Sequence, residues 1–189
     1  VRVARFASFA DLGALLIHQT ADPPDLLFMA AAVSDYTPVP TVGKIPSNQD
    51  EMTIVLRRNP KLLATLRQRC GVSAFLVGFK LLSGVSDAEL VRVAAAMVKR
   101  DHLNLCVAND LRELGGAEHP VWLVTPEGGA LRRTGDKEAV AGQLVDFVLQ
   151  RQAVRWHRSV QAELAGSADD RHRAALLLAT AIDGGLGES

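Results

Sequence analysis

Three apolar runs constrain this chain more than anything else in it, because each stops abruptly on polar residues. "LLFMAAAV" (26–33) stops on Ser34 and Asp35, "AFLVGF" (74–79) on Lys80, and "LNLCVA" (103–108) on Asn109 and Asp110. A strand that is apolar on both faces must be covered on both, which is the habit of parallel sheets. Helical periodicity lies between the runs. "SFADLGALLIHQ" places Phe9, Leu12, Leu15 and Leu16 on one face with Ser8 as N-cap. "NPKLLATLRQRC" puts Pro60 in a first turn and Leu62, Leu63 and Leu66 on one face. Ser86 and Glu89 have capping-box spacing and open a helix to about Arg100. The expected fold is α/β: a Rossmann-like, mostly parallel sheet with helices on both faces. Ligands in such sheets sit beyond the carboxyl ends of the strands, where these polar endings fall.

The remaining segments are read the same way. Residues 1–6 alternate and read as a short strand, 37–50 as a Pro- and Gly-rich loop, and "MTIVLRR" as a strand. "PVWLVTPEGGALRR" reads as a hairpin and 137–149 as a closing helix. After Gln150 the texture changes, so 1–150 is taken as one α/β domain and 151–189 as a helical appendage. The 189 residues suffice for one substantial core. Lys plus Arg number 21 and Asp plus Glu 21, a balance that argues against nucleic acid as a partner. The apolar runs are too short to span a bilayer, and no secretory signal opens the chain. Cys70 and Cys106 lack metal or redox spacing, as expected of reduced, packed thiols in a cytoplasmic protein. The histidines have no metal-ligand spacing, so no protein-held metal is expected. The chain opens at Val1, directly on "VRVARF", like the middle of something longer.

The strings "AAAVSDY", "GKI", "RNPKLLATLR", "AFLVGFKL" and "LCVAND", in that order, resemble the phosphopantothenate–cysteine ligase family of coenzyme A synthesis. The resemblance covers residues 1–150 and implies the same Rossmann-like fold. It implies ligation of 4′-phosphopantothenate to cysteine through an acyl-nucleotidylate, with ATP or CTP as co-substrate and Mg²⁺ as cofactor. "KIPS", "NPKLL" and "GFKLLS" are closer to the eukaryotic, ATP-using type, and Met97 and Asp101 stand where the bacterial type has two lysines. Leu82 stands where the family has a glutamate, and the family's first, Gly-rich βα unit has no counterpart here. A fragment, a second chain carrying that front half, and an inactive relative that binds nucleotide or a partner are therefore all open. The family is dimeric, which implies a homodimer pairing through "MTIVLRR" and the hairpin.

Such chemistry asks a protein to hold two anions together and to neutralise charge on the transferring phosphorus. Ala30 and Ala31 would let a flat nucleotide approach the strand backbone, with Asp35 accepting from ribose, base or metal-bound water; the plainer alternative is close helix packing and a turn cap. The resemblance gives these residues to the nucleotide. It makes Lys44, on its loop, the catalytic cation, where the residue alone would read as solvated surface. Pro60, Lys61, Leu62 and Leu63 offer either an anion-binding helix start or a plain one. Phe79 stacks on the base in the family or is simple core here. Asn109 binds substrate or holds the following turn.

Overall fold

The computed structural model describes residues 3–153 except 46, 47, 49 and 115. Its centre is a sheet of five strands in the order β1-β4-β5-β6-β7. β1 (Leu26–Met29), β4 (Phe75–Leu82) and β5 (Leu105–Asp110) lie side by side and parallel. β6 (Val121–Val124) and β7 (Ala130–Arg133) continue the sheet as an antiparallel hairpin. The three polar-ended runs are thus neighbours, as the sequence predicts. β2 (Tyr36–Pro38) and β3 (Leu56–Arg58) pair antiparallel as a separate two-stranded ribbon.

Helices cover both faces. α2 (Leu62–Cys70) and α3 (Asp87–Asp101) pack with Leu76, Cys106 and Ala108, while α4 (Lys137–Ala153) packs with Val77, Leu105 and Val107. Successive strand residues face opposite ways, so these are opposite sides of the sheet. α1 (Phe9–Gln19) begins with a full capping box: Ser8 Oγ accepts from Asp11 N at 3.2 Å and Asp11 Oδ2 from Ser8 N at 3.0 Å. Ser86 caps α3 by accepting from Glu89 N, but the Glu89 carboxylate turns to Arg92 instead of completing the box. Gly78 lies at a tight packing point. A Cβ there would stand 2.7 Å from Leu103 Cδ1 and 3.2 Å from Met97 Cε, so the glycine lets α3 lie close on the sheet. Both cysteines are free and buried; burial pushes the Cys106 thiol up to about 12.

Several elements depart from the sequence pattern. Residues 3–6 form no strand and are exposed, because no neighbouring strand among the described residues pairs with them. The first apolar run pairs only to Met29, and as the outer strand β1 is half-buried rather than covered on both faces. The expected loop at 37–50 begins inside β2, and "MTIVLRR" is strand only over its last three residues, all exposed. α2 starts at Leu62 after Lys61, so Pro60 precedes the helix instead of occupying its first turn. α4 continues past 149 to Ala153, and the buried Gln152 donates from Nε2 to the Asp25 carbonyl at 3.1 Å. That bond anchors the helix to the start of β1, across the expected domain boundary at 150. The rest of the expected appendage, from residue 154, lies outside the described residues.

Candidate functional site

The β1–β4 ladder ends at Met29–Gly78, whereas β4 goes on to Leu82 against Asp110 of β5. The two strands therefore part at the carboxyl rim. Residues 30–33 leave the ladder with three methyl side chains in a row, and a strand with so little to bury has little to hold it in register. A cavity of about 590 Å³ opens at this parting. Ala30, Ala31, Asp35, Pro60, Lys61, Leu62, Leu63, Phe79 and Asn109 all line it. Asp35 and Asn109, read from strands at different places in the chain, stand on one rim. Lys44 is exposed on its loop and is not in the cavity wall.

Hydrogen bonds across distant segments fix the rim. Asn59 Nδ2 donates to the Ser34 carbonyl at 2.9 Å, its Oδ1 accepts from Thr37 Oγ1 at 2.8 Å, and its backbone N–H donates to the Asp35 carbonyl at 2.8 Å. "SDYT" and "RNPK" are thereby laced together, which places Lys61 against Asp35. The Lys61 ammonium bonds the Asp35 carboxylate and is the main reason its carboxyl lies below the ordinary range; Arg58 and Lys80 add to the effect. Both side chains stay about half exposed (44% and 57%), so the pair contributes little to stability. Its value is placement of one carboxylate and one ammonium at the cavity mouth.

Asp110, outside the cavity wall, ties down the end of β5. Its carboxylate accepts backbone N–H bonds from Arg112 at 2.8 Å, Val85 at 2.9 Å and Gly84 at 3.1 Å. These bonds tie the end of β5 to the turn that starts α3 and hold the Asp110 carboxyl below its ordinary value. Leu82 packs, half-buried, against the α2–α3 cluster and is not in the cavity wall. The lining carboxylates Asp35 and Asp101 are both ion-paired, Asp101 with Arg100 at 2.8 Å. Among the described residues no three His, Cys, Asp or Glu side chains gather as metal ligands.

Asn59 and the lining residue His119 are absent from the sequence-derived site, and Asp110 enters it only as a polar strand ending. Asn59 and Asp110 stand inside motifs that the sequence singles out, but no local signal shows which distant backbone groups they bond. His119 carries no spacing signal at all.

A family model described as "DNA/pantothenate metabolism flavoprotein C-terminal domain" matches residues 1–152. The chain belongs to that family. It is 34% identical over 130 residues to phosphopantothenate–cysteine ligase 2 of Oryza sativa, covering 66% of this chain and 38% of the relative. It is 30% identical over 126 residues to the coenzyme A biosynthesis bifunctional protein CoaBC of Methanocaldococcus jannaschii, covering 66% and 30%. The chain thus spans about a third of the length of these curated relatives. Its fold resembles that of the crystallised DNA/pantothenate metabolism flavoprotein of Streptococcus pneumoniae, with a TM-score of 0.67, 25% identity, and coverage of 80% of this chain and 71% of that one. A Cab2 H337A complex with phosphopantothenate-cysteine shares the fold at a TM-score of 0.52 and 22% identity.

The three bonds to Asp110 set an acid limit. A carboxyl with a lowered folded-state pKa stabilises above its unfolded value, and that stability is lost as pH falls through the folded value. Asp110→Asn, which presents an amide where three donors converge, should lower Tm at pH 7 and flatten the fall in Tm between pH 5 and 2. Parallel Tm–pH curves for parent and variant would remove Asp110 from the acid response.

Proposed function

We propose that this chain forms the nucleotide- and substrate-binding part of a phosphopantothenate–cysteine ligase. The observation that carries this reading is the convergence of the family-like motifs on one cavity. Ala30–Asp35, Pro60–Leu63, Phe79 and Asn109 lie far apart in sequence and share a wall. The rice relative is named for this ligation and the Methanocaldococcus relative for coenzyme A biosynthesis, which supports this reading.

The roles follow from position. Ala30 and Ala31 leave the rim low enough for a flat nucleotide, and Phe79 beside them offers an aromatic face to the base. Asp35, held ionised by Lys61, accepts from ribose or base. Lys61 and Lys80, both in the wall, supply positive charge where an α-phosphate receives the substrate carboxylate. Asn109, at the end of β5, bonds the acid. Attack of that carboxylate on the α-phosphorus forms the acyl-nucleotidylate and releases pyrophosphate. The amine of cysteine then displaces the nucleoside monophosphate and forms the amide. The described carboxylates do not fit a protein-held Mg²⁺, since both in the wall are paired. In this reading Mg²⁺ arrives chelated to the triphosphate. ATP is the nucleotide favoured by the eukaryotic-like motifs, with CTP the alternative. No described helix is long and apolar enough to cross a membrane, and two buried free thiols suit a cytoplasmic enzyme.

Lys44 completes the proposal as the cation of a loop that closes over the triphosphate on binding. Pyrophosphate release should be followed with ATP and CTP side by side, with any missing front half supplied. Lys44→Ala should slow it about 10²–10³-fold with Tm unchanged, and Lys44→Arg should restore it in part. A Lys44→Ala protein as active as the parent would exclude the residue. No release with either nucleotide would favour an inactive relative that binds nucleotide or a partner.

The same reading includes a homodimer. An isolated two-stranded ribbon is marginal in water, yet the β2–β3 ribbon and its loop expose Tyr36, Val42, Ile45, Met52, Ile54, Val55 and Leu56. A second copy would cover these side chains and pair the open edges. Sedimentation equilibrium should show a dimer at micromolar concentration that Val55→Glu weakens; a monomeric parent would contradict it.

A further inference from the structure

The cavity has a second polar corner, remote from Ala30 and Asp35. Ala108 pairs with Trp122 across β5 and β6, so the residues just before β6 run past Asn109 and Asp110 on the same rim. His119 stands there and lines the cavity, as does Lys137, the first residue of α4. His119 N donates to the Gly135 carbonyl at 2.7 Å, which holds the imidazole beside the start of that helix. Its Nδ1 is shut off from solvent and has no hydrogen-bond partner. A proton left there would be buried without an acceptor, so the favoured tautomer carries it on Nε2. Burial lowers the His119 pKa, the nearby Lys137 ammonium lowers it further, and Asp136 opposes them.

We propose that His119 and Lys137 bind a phosphate monoester, the phosphate of the acid substrate. This rests on the ligase reading above and assigns the two ends of its cavity. β1 and β6 are separated by β4 and β5, a spacing of roughly 14 Å at about 4.8 Å per strand. An elongated acid whose carboxylate meets the α-phosphate beside Lys61 and Lys80 would pass Asn109 and direct its phosphate to this corner. There an N–H donor and an ammonium meet it without competing with the nucleotide at Asp35.

Calorimetric titration of the intact chain tests this with 4′-phosphopantothenate, pantothenate, inorganic phosphate, ATP and CTP. His119→Ala and Lys137→Met should each weaken phosphopantothenate at least tenfold and leave both pantothenate and the nucleotide unchanged. His119→Gln, whose amide N–H falls near the Nε2 position, should recover most of the affinity; His119→Asn, which mimics Nδ1, should not. Equal binding of phosphopantothenate by parent, His119→Ala and Lys137→Met would overturn the assignment while leaving the ligase reading standing. Loss of nucleotide affinity in the same variants would overturn it in favour of a triphosphate corner. A parent that binds neither nucleotide nor phosphopantothenate would end both readings.

Discussion

Two neighbouring parallel strands of unequal length make this site. β1 gives up its pairing at Met29 while β4 is carried on to Leu82 by β5. Had Ala30, Ala31 and Ala32 been Val or Ile, the run would have had side chains to bury against α2 and a reason to stay in the ladder. With methyl groups alone, the backbone is released at the rim and the cavity opens between the strands. The charged groups then take their places around that parting: Asp35 and Lys61 on one side, Lys80 on β4 and Asn109 on β5.

A released segment has to be held by something else, and here side chains of few atoms do it. Asn59 takes both a donor and an acceptor role to residues 34–37, and Asp110 gathers three backbone N–H groups. Neither needs to touch a ligand to matter. Each converts a strand end into a fixed platform, so the cavity wall is built by hydrogen bonds while the sheet behind it is built by apolar burial. Gly78 connects the two levels, since the missing Cβ seats Met97 and Leu103 against the strand that carries Phe79.

The fold was legible because its signals are local and redundant. Ser8 and Ser86 cap the helices that they precede, and uniform apolar runs become the parallel strands. The short β1 was not legible, since how far a strand pairs depends on its neighbour and not on its own composition. The cavity residues at strand ends were legible for the reason that parallel sheets share one carboxyl rim. The roles of Asn59, Asp110 and His119 were not, because they lie in contacts with groups far away in sequence. Lys44 shows the converse: motif resemblance selects it, and the described wall does not include it.

The central claim is that the parted ends of β1 and β4 receive a nucleotide. Hydrogen–deuterium exchange with and without saturating ATP or CTP measures this most directly. Slowed exchange should appear in peptides spanning residues 26–36, 60–66 and 75–82, with β7 unchanged. Nucleotide binding by calorimetry without any protection in those three peptides, or with protection confined to the β6–β7 hairpin, would contradict it.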